Sequence, residues 1–209
     1  MSSQKTLNMD AHGEQDGARG ENTTAAAPEN ALNPLKLGAA MANIDLETTK
    51  GPIKFADWLC GDAEKPWTIF FSHPADFTPV CTTELGQCHI MAEEFAAMGA
   101  KLIGVSCDSV DSHNAWAKDV VARATPDKPD DDLAFPIIGD ADKSLVTRLG
   151  MLDPAEKDKD GGSMPARVLV ILHGNVVKLT ILYPATTGRN FEEVKRVLTS
   201  LKLTVDNVS

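Results

Sequence analysis

From Ile44 onward the chain shows two hydrophobic rhythms in alternation. Short apolar runs of strand length are followed by stretches where apolar residues return every three or four positions. "WTIFFS" (Trp67–Ser72) and "KLIGVS" (Lys101–Ser106) are runs suited to buried strands. Between them, after the turn-like "HPADFTPV", a helix pattern starts near Cys81. Leu85, Cys88, Met91, Ala92 and Phe95 share one face of it, and Gly99 offers a stop. Ser112 is placed to cap a second helix carrying Ala115, Trp116, Val120 and Val121. Pro126 and Pro129 break the chain inside an acidic loop. "FPIIGD" then predicts a brief strand and "KSLVTRLGM" a short helix. "ARVLVIL" and "VVKLTILY" flank "HGN", which reads as a hairpin turn. "NFEEVKRVLTSL" closes with an amphipathic helix. Strand, helix, strand, helix, then a hairpin and a helix predict an α/β sandwich: a central mixed sheet flanked by helices.

The rhythm is missing at the front. Residues 1–40 contain no Val, Ile, Phe, Trp or Tyr, so they cannot bury enough apolar surface to offset the entropy of ordering. We expect residues 1–33 to form a disordered polar tail and 34–209 to form one domain. The tail lacks the apolar core of a secretory signal and carries too many acids for a mitochondrial presequence. No apolar run approaches the roughly 18 residues that span a membrane. The formal net charge of -10 argues against a broad phosphate-tracking face, so no nucleic acid is expected. A cytoplasmic location is expected. The four cysteines, Cys60, Cys81, Cys88 and Cys107, have no zinc-type spacing and no C-x-x-C, and read as free thiols in a reducing compartment. No metal and no cofactor are expected.

Cys81 departs from the ordinary buried thiol. The segment "FSHPADFTPVCTTELG" (Phe71–Gly86) sets Pro74, Thr78 and Cys81 in the spacing P-x-x-x-T-x-x-C. Cys81 falls where strand and loop give way to a helix. The first N–H groups of a helix lack intrahelical partners, and its dipole adds positive potential there. Both favour the thiolate, the nucleophilic form. Thr78 can offer a hydroxyl to the sulfur or to a bound oxygen. Pro74 has no N–H and can shape a dry pocket without competing for hydrogen bonds. A cation is still needed. Arg167, opening the "ARVLVIL" strand, is either an ordinary surface ion-pairing residue or a guanidinium that reaches the thiolate.

These residues carry a resemblance. "FSHPADFTPVCTTELG" resembles the active-site segment of the peroxiredoxins, specifically the one-cysteine, peroxiredoxin 6 group. Further similar stretches follow in order: "KLIGVSCDSVDSHNAWAKD", "FPIIGD", "LGMLDPAEKD", "ARV" and "ILYPATTGRNFEEVKRVLTSLKLT". The resemblance spans about residues 35–205. It implies a thioredoxin-like fold and a thiol peroxidase that reduces hydrogen peroxide and organic hydroperoxides through a cysteine sulfenic acid. It implies Cys81 as nucleophile, with Thr78, Pro74 and Arg167 completing the peroxide site. It also implies His73 as a pocket residue, Arg189 as a second cation and Glu84 as the group orienting the arginines. A homodimer is expected.

The chain departs from the family pattern in places. No cysteine follows Cys107, so the late resolving cysteine of two-cysteine members is absent. Cys88 lies two helical turns past Cys81, roughly 10 Å along the axis. That is too far for a disulfide without unwinding. The sulfenate is therefore expected to need an external thiol: glutathione, with a glutathione transferase as partner, or a thioredoxin-like protein. The lipase segment described for some members is Gly61-Asp62-Ala63-Glu64-Lys65-Pro66-Trp67 here, without its serine, and its histidine position is Ala56. Lipase activity is not expected. Group members usually continue past "LKLT", which leaves the dimer interface and the cover over the site open. The N-terminal hairpin is expected to be loose. A second reading, a redox sensor or chaperone-like binding protein using the same cysteine, stands beside the enzyme.

Overall fold

The computed structural model describes residues 35–64 and 66–206, so the tail expected over 1–33 lies outside the described residues. A short hairpin comes first, β1 (Asp45–Leu46) and β2 (Ile53–Lys54), followed by α1 (Phe55–Cys60). Then come β3 (Trp67–Ser72), α2 (Pro79–Ala97), β4 (Ala100–Ser106) and α3 (Val110–Ala124). The second half holds β5 (Ile137–Gly139), α4 (Ser144–Arg148), β6 (Leu152–Lys157) and β7 (Ser163–Pro165). It ends on β8 (Arg167–His173), β9 (Val176–Tyr183) and α5 (Phe191–Asp206).

Five strands form one sheet in the order β5-β4-β3-β8-β9. β3, β4 and β5 run parallel, while β8 and β9 run antiparallel to their neighbours. The central strand β3 is buried along its whole length, which is why its sequence is a continuous apolar run rather than an alternation. Its side chains still divide by parity. Trp67, Ile69 and Phe71 join Leu85, Phe95, Trp116 and Phe191 on one face; Phe70 joins Phe55, Leu145 and Val168 on the other. Each fully buried Leu or Phe contributes about 1.5–3 kcal/mol, so the two layers together hold α2, α3 and α5 to one side and α1 and α4 to the other. Hairpin β8–β9 closes through Gly174 and Asn175. Gly174 has φ +55, the sign that a two-residue turn of this kind needs at its first position.

Two local expectations change. Ser109, not Ser112, caps α3: its hydroxyl accepts from the Ser112 N–H at 3.2 Å. The buried stripe of α3 begins at His113 and runs through Trp116, Val120 and Val121, while Ala115 faces solvent. The helix α1 and the hairpin β6–β7 carry no clear pattern because they are short, and β6 contains Pro154. The N-terminal hairpin pairs only two residues per strand, Asp45 with Lys54 and Leu46 with Ile53.

Candidate active site

The loop His73–Thr78 leaves the C-terminal end of β3, the place where open α/β sheets carry their sites. The chain must reverse within it to start α2. It does so at Phe77, whose φ of +57 is a left-handed conformation that a bulky residue adopts at a cost of about 1–3 kcal/mol. Thr78 follows as the N-cap residue in extended conformation, and Pro79 starts the helix, where its missing N–H is not needed. Cys81 therefore lies in the first turn of a 19-residue helix. Its N–H is among the groups with no carbonyl one turn back. The side chain is completely buried, among Leu85, Phe71 and Trp116 in the larger core cluster.

Two arginines close the site from the far end of the sequence. Arg167, the first residue of β8, donates from Nη1 to Cys81 Sγ at 3.4 Å and from Nε to the Ala185 carbonyl at 2.8 Å. The same Nη1 pairs with Glu84 Oε2. Arg189, in the loop before α5, binds the other side of Glu84. Its Nε and backbone N–H reach Oε1 at 3.0 and 2.6 Å, and its Nη2 reaches Oε2 at 3.2 Å. Its Nη1 donates to the Val168 carbonyl at 2.7 Å, and its guanidinium lies over the rings of Phe71 and Phe191. Glu84, Arg167 and Arg189 are all buried. Burial alone would raise the Glu84 carboxyl. The charge and hydrogen bonds of Arg189, joined by the charge of Arg167, outweigh burial and hold it below the ordinary carboxylate range. Two cations and one anion leave a net positive charge beside the sulfur.

Pro74 and His73 are buried in the same loop. His73 stacks on Trp116 with ring centroids 5.1 Å apart, and Trp116 Nε1 donates to the hydroxyl of Thr82, the neighbour of Cys81. Thr78 is placed differently from expectation: its hydroxyl donates to the Ala75 carbonyl at 3.0 Å, not to the sulfur. The structure thus brings Cys81, Arg167, Glu84 and Arg189 into one bonded cluster and sets Pro74, His73 and Thr78 on the loop beside it. Sequence reasoning missed Asp76 and His113, whose side chains meet His73 beneath that loop. His113 at the head of the apolar stripe on α3 was the available signal.

All four cysteines are free. Burial pushes the Cys88 thiol well above its ordinary range. Burial and the nearby Asp140 push Cys107 up to about 12. Cys60 is exposed on α1. No helix among the described residues is long and apolar enough to cross a membrane.

Residues 37–179 match the AhpC/TSA family, so the chain belongs to that family of thioredoxin-like proteins. Its relatives narrow this to the one-cysteine peroxiredoxins, thiol-dependent peroxidases. It is 53% identical to peroxiredoxin-6 of Gallus gallus over 171 residues, covering 81% of this chain and 74% of the relative. It is 49% identical to the 1-Cys peroxiredoxin of Onchocerca volvulus, covering 80% and 73%. Among solved structures, peroxiredoxin 6 of Arenicola marina superposes with a TM-score of 0.75 at 43% identity, covering 81% of this chain and 74% of that one. A yeast mitochondrial 1-Cys peroxiredoxin, described with resolution of its thiol through glutathione and thioredoxin systems, gives 0.72 at 36% identity, covering 82% and 78%. The redox-sensor or chaperone reading is not favoured against these relatives.

Proposed function

We propose that Cys81 is the nucleophile of this peroxidase and that Arg167, Thr78 and Pro74 complete its peroxide site. The observation that carries the assignment is the guanidinium of Arg167 within 3.4 Å of a fully buried sulfur. The unbalanced positive charge of Arg167, Arg189 and Glu84 is completed by a thiolate. That thiolate attacks one oxygen of the hydroperoxide in line with the O–O bond. Sulfur loses two electrons and becomes a sulfenic acid; the O–O bond breaks, and the departing oxygen takes a proton to leave as water or an alcohol. Arg167 and the first-turn N–H of Cys81 stabilise the charge that builds on the oxygens. Thr78, its proton committed to Ala75, serves as an acceptor for the peroxide O–H. Glu84 and Arg189 orient Arg167, and His73 lines the pocket.

Regeneration uses an external thiol. The sulfenic acid condenses with one thiol to a mixed disulfide and water, and a second thiol releases Cys81 and a disulfide. The raised thiols of Cys88 and Cys107 support this over an internal partner. Glutathione or a thioredoxin-like protein, with a glutathione transferase as a further partner, is the class of donor. The protein acts as a homodimer. The outer edge of β9 supports this: residues 38–41 bond to its start and the adjoining turn, Thr180 bonds to the Leu35 carbonyl, and Leu182 near its end is 66% exposed. Free thiols throughout support the cytoplasm as its location. Mass spectrometry after one equivalent of hydrogen peroxide tests the assignment. We expect one added oxygen on Cys81, removed by glutathione, and no peroxide consumption by Cys81→Ser. Turnover by that variant would refute it.

A further inference from the structure

The chemistry above leaves a buried polar cluster beneath the loop without a role. The Asp76 carboxylate takes three side-chain donors: His73 Nε2 on Oδ1 at 3.0 Å, Ser112 Oγ on Oδ2 at 2.7 Å, and His113 Nδ1 on Oδ2 at 2.8 Å. His113 Nε2 meets the Ile138 carbonyl at 3.1 Å. The backbone N–H of Asp76 is held by Asp108 at 3.0 Å, which also takes the hydroxyl of Ser106. His73, Asp76 and His113 are close enough to share a cation, but their bonds to one another already account for the clustering.

The protons can be placed. Burial alone would raise the Asp76 carboxyl. The hydrogen bonds from His113 and His73 outweigh it and hold it far below the ordinary carboxylate range. An ionised carboxylate only accepts, so His73 Nε2 and His113 Nδ1 both donate. The Ile138 carbonyl also only accepts, so His113 donates from Nε2 as well and is the counter-ion of Asp76. The charged groups facing His73 are Asp76, His113 and Asp108, and burial pushes its pKa below 6.5 despite the two acids. A neutral His73 has one proton, and it sits on Nε2. Nδ1 keeps a lone pair, is fully buried and has no partner. A buried acceptor left without a partner is costly to the fold. Such atoms in native structures call for an explanation.

We propose that Asp76 and His113 are positioning residues for the peroxide site, holding His73 in the Nε2–H tautomer so that its Nδ1 is an acceptor for an incoming O–H. This rests on reading the loop beside Cys81 as the peroxide site. Arg167 supplies donors there, and an imidazole fixed as an acceptor complements it. Asp76→Asn tests the idea at nearly constant volume, because the amide puts an N–H2 toward one imidazole and releases the tautomer.

The experiment uses the full chain labelled with 15N-histidine. Long-range proton–nitrogen correlation reads the tautomers, and stopped-flow reads Cys81 oxidation by hydrogen peroxide across pH. We expect Nε2–H for His73 and two protons on His113 in the wild type. In Asp76→Asn we expect loss of the single tautomer, oxidation slower by about tenfold or more, the value of one lost hydrogen bond of roughly 1.4 kcal/mol, and a changed pH profile. His113→Asn, which removes the group that balances the Asp76 carboxylate, should shift the tautomer and the rate in the same direction as Asp76→Asn. An Nδ1–H wild-type His73 overturns the proposal even if Asp76→Asn fails to fold. So does an Asp76→Asn protein with an altered tautomer and an unaltered rate and profile. A wild type inert toward peroxide would instead overturn the reading of the site itself.

Discussion

Arg167→Gln is the sharpest test of the site's electrostatics. The guanidinium makes three contacts, to Cys81, Glu84 and Ala185, from a residue only 2% exposed. Glutamine has similar bulk but no charge and cannot reach all three. Glu84 keeps Arg189 as its partner through three bonds, so the fold is not left with an unpaired buried acid. Losing one hydrogen bond to a charged group should lower stability by about 1.5–3 kcal/mol, short of unfolding a typical domain. The kinetic loss is larger in consequence. One preorganised donor to a developing oxyanion is worth about 2.7–4 kcal/mol, or 10²–10³ in rate. The change also leaves Arg189 and Glu84 neutral as a pair, removing the charge that a thiolate would balance. Stopped-flow tryptophan fluorescence can follow the reaction, since Trp116 stacks on His73 and bonds to Thr82 beside Cys81. Circular dichroism confirms the fold. Arg167→Lys should recover only part of the rate, because an ammonium keeps the charge but not the planar fork. A folded Arg167→Gln protein oxidised within threefold of the wild-type rate would refute the reasoning.

Three further outcomes are expected. Glu84→Gln leaves two buried guanidiniums facing an amide, and should destabilise the fold by about 3–5 kcal/mol in urea melts, more than Arg167→Gln does. Cys88→Ser should retain turnover at saturating external thiol; abolished turnover would make Cys88 a resolving residue after all. Thermal stability should fall on acidification in two stages. The His73 pKa is lowered in the fold, so its stabilisation is present above the unfolded value of 6.5 and is lost as pH falls below it. Asp76 and Glu84 are also lowered, so theirs persists to the ordinary carboxylate range and is lost below about pH 4. Melting temperature against pH in wild type and His73→Asn checks the first stage, which should shrink in the variant to the part that the half-buried His89, also lowered by burial, contributes.

Much of this was legible in the chain. β3, β4 and β8 are buried runs long enough to announce themselves, β9 follows from the turn beside β8, and the face of α2 from Leu85 to Phe95 is a regular stripe. Cys81 and Arg167 were readable because their chemistry is specific, though only the family resemblance linked them. The positions of protons and hydroxyls were not readable. Thr78 bonds to Ala75 because the reversal at Phe77 brings that carbonyl within reach, and Phe77 carries no glycine-like signal for a left-handed turn. Nothing in the sequence sets Asp76 apart from other loop acids. Its importance depends on His113 and Ser112, which approach it only after α3 packs against the loop.

The guanidinium that touches Cys81 comes from 86 residues further along the chain, and the arginine that braces Glu84 from 105 residues beyond it. A ribosome-bound chain carries the cysteine long before it carries either cation. Until residues 167 and 189 are made and docked, the two guanidiniums of the folded site are absent from the sulfur's surroundings. On the proposed assignment this ties the reactivity of Cys81 to tertiary closure, so its peroxide sensitivity should report how much of a preparation is correctly folded.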